Sequence, residues 1–316
     1  MIRIEGKESF MTLFNKKYKF FKLFLFLVLI NPLLNVRVAE ANFISKFFKQ
    51  RLQEILAPKS QLWERWKNRN PKNKKRISHK LWEEVLAKNL SLDASSGVNL
   101  FNYKGISKED KAKLNLYIKT LGATQISSYR WIEQKAFWIN LYNALTVQLV
   151  INSYPIKTIK DIELTINHAK FGPWDAKILK VENVMISLND IEHRILRPLS
   201  NDPRIHYALN CASLGCPTLN KVPFTSLNME DLLESSSFNF VNHSNGLLFK
   251  KEELHVSSIY VWFRSDFEKK GFEGDKGVIE HLKKYAKGDL KKTLENYQKD
   301  IRGHFYNWKL NGVEKK

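Results

Sequence analysis

The residues with the most chemical reach converge on one short stretch. Asn210-Cys211-Ala212-Ser213-Leu214-Gly215-Cys216-Pro217 holds both cysteines of the chain in a turn of small residues. A cysteine attacks as a thiolate, with a base nearby and donors for the developing oxyanion. Cys211 is the candidate nucleophile, the turn's backbone amides are candidate donors, and His206 is the candidate base. The same pair supports a second reading. Four residues intervene between the cysteines, and a turn of that length can bring their Cα atoms within the roughly 7 Å that a disulfide needs. An even cysteine count in a secreted chain makes such a staple the ordinary outcome. The sequence leaves both readings open.

His206 enters with a geometric condition. Arg204–Leu209 reads as a short buried strand, and on a strand an offset of five points His206 and Cys211 to opposite faces. His206 serves Cys211 only if the chain bends at Asn210. Glu192 is the next candidate. On a helix over 190–197, Leu188, Ile191, Ile195 and Leu199 form an apolar stripe that contains Glu192, with His193 just beyond its edge. A carboxylate on a buried face must be paired or protonated. It would cap its own helix with Asn189, pair with Arg194 or Arg204, or orient a histidine in a Cys–His–Glu arrangement. Glu192, His193, His206 and Cys211 could alternatively ligate zinc, but no usual metal spacing occurs and no cofactor motif is present.

The elements that must position these groups follow from periodicity. Trp131–Tyr154 runs without Gly or Pro and is apolar around its whole circumference, the pattern of a buried helix. Asn140 and Asn143 share one side of it, to tie down neighbouring loops or to polarise a substrate carbonyl. Ser107 caps a helix to about residue 121. Two β-rich runs flank Glu182-Asn183 as a hairpin, a helix covers Met229 to about Val241, and a second hairpin spans Gly246–Val256. Helices at about 258–269 and 276–299 precede a last apolar run, Phe305–Leu310. Phe171-Gly172-Pro173-Trp174 is a turn, over a pocket or simply packed. The fold class is α+β: one mainly helical domain at 101–316, with a buried central helix and a small sheet of short strands, preceded by a basic helical extension at 42–100.

The first 41 residues read as a leader. Lys16, Lys17, Lys19 and Lys22 precede the apolar run Leu23–Ile30, and Ala39-Glu40-Ala41 supplies the small-x-small cleavage pattern. That run is too short for a span of roughly 20 residues, and either Met1 or Met11 could initiate the chain. The reading is an exported protein, periplasmic or extracellular. The full chain of 316 residues carries 52 Lys+Arg against 32 Asp+Glu, a net charge of +20. Outside the cytoplasm the polyanions at hand are lipid headgroups and cell-wall polymers rather than nucleic acid. Basic residues are densest from Lys59 to Lys80, interleaved with Trp63 and Trp66. This segment is the candidate contact for anionic envelope components, including a peripheral membrane contact.

Three segments resemble one family. Lys135-Ala136-Phe137-Trp138-Ile139-Asn140-Leu141-Tyr142-Asn143-Ala144-Leu145, Ser187–Arg197 and Arg204–Ser213 through Cys216-Pro217 are similar, in order, to the domain-of-unknown-function 547 family over about 110–240. Gly215 departs from the commoner small polar residue before the second cysteine. The resemblance implies no activity or substrate. It does mark Asn140, Asn143, Glu192, His193, His206, Cys211 and Cys216 as the polar members of the motif. Two functions follow: a thiol-dependent hydrolase or acyl transferase using Cys211, His206 and Glu192, or a non-enzymatic envelope binding module stapled by Cys211–Cys216.

Overall fold

A computed structural model describes residues 56–164 and 172–313, all within one unit, Leu52–Lys316. The expected leader at 1–41, the start of the expected basic extension up to residue 55, and Phe171 lie outside the described residues. In chain order the elements are α1 (Lys80–Asn89), β1 (Leu90–Leu92), β2 (Asn99–Phe101), α2 (Lys108–Gly122) and α3 (Trp131–Ser153). Next come β3 (Leu179–Val181), β4 (Val184–Ile186), a π-helix π1 (Asp190–Leu196) running into α4 (Arg197–Ser200), α5 (Ile205–Ala208) and α6 (Met229–Val241). The chain ends through β5 (Leu247–Lys250), β6 (Glu253–Ser257), α7 (Ser258–Trp262), α8 (Arg264–Phe267), α9 (Asp275–Tyr285), α10 (Gly288–Glu295) and β7 (Gly303–Phe305). The mainly helical α+β class and the buried central helix are as the pattern predicts.

α3 is the axis of the first core. Its side chains from Glu133 to Val147 are buried without a gap, and Trp66, Trp82, Leu114, Leu121, Ile186 and Ile195 pack in the same cluster. Trp66 thus lies in the interior although it belongs to the basic segment. A second core joins Leu254, Val256, Tyr260, Val278 and Leu282. The short α5 bridges the two, with Ile205 and Ala208 in the first core and Tyr207 in the second.

The sheets are small. β1–β2, β3–β4 and β5–β6 are antiparallel pairs, and β7 lies parallel to β6 with Val256 opposite His304. The predicted hairpin turns carry the backbone expected of two-residue loops. Glu182 and Asn183, and likewise Lys251 and Glu252, all have positive φ. The two long C-terminal helices expected from periodicity are each broken in two, the first at Phe263 and the second at Ala286–Lys287, before Gly288 with φ +54°.

The segment around Glu192 departs most from expectation. Asn189 is itself helical and makes no side-chain cap. The capping box sits two residues earlier: the Asp190 amide donates to Ser187 Oγ at 3.1 Å, and the Ser187 amide donates to Asp190 Oδ2 at 2.8 Å. Glu192 is therefore released from helix capping. The helix also does not stop before Pro198. Its last turn widens, so that the Arg197 amide donates to the carbonyl of Glu192, five residues back, and Pro198 has no amide to donate. The carbonyls of His193 and Arg194 are left open, and the amides of Gln61 and Trp63 fill them at 2.9 and 3.0 Å. The segment around residues 58–63 is thereby strapped along π1.

Replacing Ser187 by Ala should lower stability by about 1 kcal/mol in urea unfolding, whereas Asn189→Ala should change it by less than about 0.5 kcal/mol. Equal losses would contradict this placement of the cap.

Candidate functional site

Glu192, His193 and Arg197 project from the strapped π1–α4 segment, and all three are buried. α8 supplies Asp266, whose carboxylate accepts two bonds from Arg197, Nε to Oδ2 at 2.6 Å and Nη2 to Oδ1 at 3.0 Å. Arg197 Nη1 also donates to the carbonyl of Pro58 at 2.7 Å and to His193 Nδ1 at 3.0 Å. His206, from α5, is held between two carboxylates. Its Nε2 lies 2.8 Å from Asp266 Oδ2, and its Nδ1 lies 3.6 Å from Glu192 Oε1. The Phe263 ring stacks on the His206 imidazole with centroids 4.5 Å apart, and the Arg197 guanidinium lies over the same ring at 4.6 Å.

The electrostatics follow from these partners. Burial opposes charge on His206, but its hydrogen bond to Asp266 and the closeness of the Glu192 carboxylate outweigh burial and raise its pKa. Burial likewise opposes charge on Asp266, and the His206 and Arg197 bonds carry its pKa far below the ordinary carboxylate range. For Glu192, burial is overcome by His193, which is protonated at the low pH where Glu192 titrates, and by the closeness and charge of His206 and of Arg197, which together bring its carboxyl down to about 2. His193 is lowered to about 4, chiefly by burial, and as acceptor of the Arg197 bond it is neutral. The site holds two carboxylates against the Arg197 guanidinium, with His206 shifted toward its protonated form. Glu192 is the member bound least tightly by geometry: its two histidine neighbours stand at 3.6 and 3.9 Å, beyond hydrogen-bond reach.

Next to it lies the cysteine loop. Cys211 and Cys216 form a disulfide, with Cα atoms 6.3 Å apart. This decides between the two readings of the cysteines and removes the free thiolate that the enzyme reading requires. His206 does not face the loop. Arg204–Leu209 is largely the helical turn α5 rather than a strand, because Ile205, Tyr207 and Ala208 must reach two cores at once. The turn's amides are not donors in waiting either. The Cys211 amide donates to Cys216 Sγ, the Ala212 amide to Asn210 Oδ1, and those of Leu214 and Gly215 to the carbonyls of Lys309 and Asn307. Gly215 has a physical reason: a Cβ there would stand 2.6 Å from the Asn307 amide nitrogen. Both sulfurs are close to the Tyr306 hydroxyl, at 2.9 Å from Cys211 and 3.1 Å from Cys216.

Asn140 and Asn143 tie loops to α3. The Asn140 amide donates to the Phe224 carbonyl at 2.7 Å and its oxygen accepts from the Phe224 amide. Asn143 makes the equivalent pair with the Ala208 carbonyl and the Asn210 amide. Among the described residues no group of three or more His, Cys, Asp or Glu could hold a metal ion.

The spacing arguments miss Asp266, Phe263 and Tyr306, which arrive from the C-terminal third of the chain. They also miss an aromatic cluster whose Tyr306 hydroxyl lies in the field of the Glu192 carboxylate. Trp262 packs on Tyr306 at 4.9 Å and on Trp308 at 5.6 Å, and Trp174 meets Trp308 at 5.8 Å. All four rings are partly exposed. Gly172, with φ +85°, lets the Trp174 ring fold back to 2.1 Å from where a Cβ would stand. The aromatic content of the final segment is visible in the sequence, but nothing there says which site it joins.

Because its pKa is raised in the folded protein, His206 contributes stability that is fully present below about pH 6.5 and is lost as pH rises through its folded value. The stability gap between wild type and His206→Gln, measured by urea unfolding across pH, should therefore be largest below that point and shrink as pH rises. A gap that widened with pH would contradict the two-carboxylate clamp.

A family model described as "Protein of unknown function, DUF547" matches residues 126–241. No curated protein and no solved structure matches the chain. The matched region contains Asn140, Asn143, Glu192, His193, Arg197, His206 and both cysteines, and it leaves Asp266, Phe263 and Tyr306 outside. Residues 126–241 of this chain are a DUF547 family domain.

Proposed function

We propose that the protein is an exported, disulfide-stapled binding module that holds a polyhydroxylated ligand, a saccharide of the cell envelope, at Glu192 beside the aromatic cluster. The carrying observation is an ionised, buried carboxylate held by surrounding charge rather than by short hydrogen bonds to its histidines. Its field reaches Tyr306, the ring that joins the partly exposed cluster of Trp262, Trp308 and Trp174. A sugar ring offers C–H faces to aromatic side chains and hydroxyl edges to a carboxylate, and few precisely placed polar groups against an aromatic wall is the usual make-up of a small-molecule site. A carboxyl lowered to about 2 is a poor proton carrier near neutral pH. It is a strong acceptor. His206, with both ring nitrogens directed at carboxylates, has none left for a substrate. A thiol-dependent hydrolase or acyl transferase would need the disulfide reduced and a base other than His206. Export is supported by the leader pattern and by the disulfide, which persists in oxidising compartments.

Soluble peptidoglycan fragments titrated into the oxidised protein, followed by tryptophan fluorescence, should bind saturably. Glu192→Gln and Trp262→Ala should each weaken that binding by about tenfold or more, the loss expected for one charged hydrogen bond or one stacked ring. Absence of saturable binding, or unchanged affinity in both variants, would overturn the proposal.

A further inference from the structure

The basic segment is not used by the site. Residues 68–79 form no helix or strand, yet their backbone is fixed. The Asn70 amide donates to the Tyr129 carbonyl at 3.0 Å, and Asn73 Nδ2 donates to the Ser128 carbonyl at 2.7 Å. The side-chain oxygens of Asn70 and Asn73 turn inward to accept from the amides of Lys72 and Lys75. Arg69, Lys72, Lys74, Lys75 and Arg76 project from this pinned loop. All five are exposed. Between Arg65 and Trp82 the sequence has no acidic residue, and among the described residues none of the five makes an ion pair. The neighbouring cations are already engaged, Arg65 with Glu182 and Lys67 with Glu64.

The two tryptophans of the segment face the other way. Trp66 is 2% exposed and packs on Trp138 at 5.0 Å, while Trp63 lies under the Arg194 guanidinium at 4.1 Å. The loop therefore offers charge without an aromatic platform. Stacking on single-stranded bases needs such a platform, and insertion into a bilayer needs an apolar face. Adsorption onto a planar anionic surface needs only closely spaced, unshared positive charge.

We infer that the 69–76 loop is an electrostatic docking surface for an anionic phospholipid bilayer, with the side chains lying against the headgroups and nothing inserted. Each cation near such a surface adds favourable energy, and the sum falls steeply with ionic strength.

The test is sedimentation of the full chain with vesicles of phosphatidylcholine alone or mixed with phosphatidylglycerol, at low and at physiological salt. Wild type should bind only the anionic vesicles and lose binding as salt rises. The variant K72Q/K74Q/K75Q/R76Q should bind them about a hundredfold more weakly. The charge-matched control K104Q/K119Q/K291Q/K299Q, at four exposed lysines elsewhere, should lose much less. Binding to neutral vesicles, equal losses in the two variants, or no anionic binding at low salt would each overturn the inference. So would a preference for an oligonucleotide over the vesicles. Thermal unfolding checks that the variants fold, as the loop is pinned by asparagines that they retain. Because neither Glu192 nor the aromatic cluster is altered, this outcome is independent of the saccharide experiment.

Discussion

Four ionisable groups in one chain of contacts, Arg197–Asp266–His206–Glu192, set the terms for the rest of the molecule. Removing a charge from water costs several kcal/mol, and leaving any one of these unpaired would cost more than the fold can spare. Each neighbour is therefore obliged to be where it is. The bidentate Arg197–Asp266 pair fixes α8 against α4, and His206 then fixes α5 between the two carboxylates. Phe263, at the break between α7 and α8, covers the imidazole and the guanidinium together. A continuous helix through Phe263 would remove the break that puts Phe263 and Asp266 on the same cluster.

The charge cluster depends in turn on an imperfect helix. The widened turn of π1 and the missing amide of Pro198 free two carbonyls, and the strap at 58–63 satisfies them while also accepting from Arg197 through the Pro58 carbonyl. A segment set apart by composition is thus part of the cluster's support. The aromatic cluster and the disulfide loop meet at Tyr306, whose hydroxyl feels the Glu192 charge. The oxidised, hydrogen-bonded loop contributes rigidity there, with Tyr306 joining it to the aromatic rings. Such an arrangement presents a fixed carboxylate rather than a titrating one, which suits recognition better than proton transfer.

Much of this was legible in the sequence wherever local pattern governs. The buried helix α3, the Glu182-Asn183 hairpin and the helix Met229–Val241 follow from periodicity and turn chemistry, and Glu192 stands out as a carboxylate on an apolar stripe. Local reasoning failed where tertiary demands override it. Ile205–Ala208 reads as a strand by composition and is a helical turn because its residues serve two cores. Asn189 looks like a cap, but Ser187 and Asp190 make a better one. Asp266, Phe263 and Tyr306 lie 57 or more residues beyond His206 and outside the matched family region, so neither spacing nor resemblance could bring them to the site.

The central claim is that the surrounding positive charge keeps the buried Glu192 ionised. Carbon-13 NMR of the side-chain carboxyl across a pH titration reads this directly. The account predicts no titration of Glu192 between pH 7 and 4, its pKa lying near 2 rather than at the ordinary 4.5. A midpoint at or above 4.5 would mean that burial prevails over Arg197 and His206, and would contradict the account.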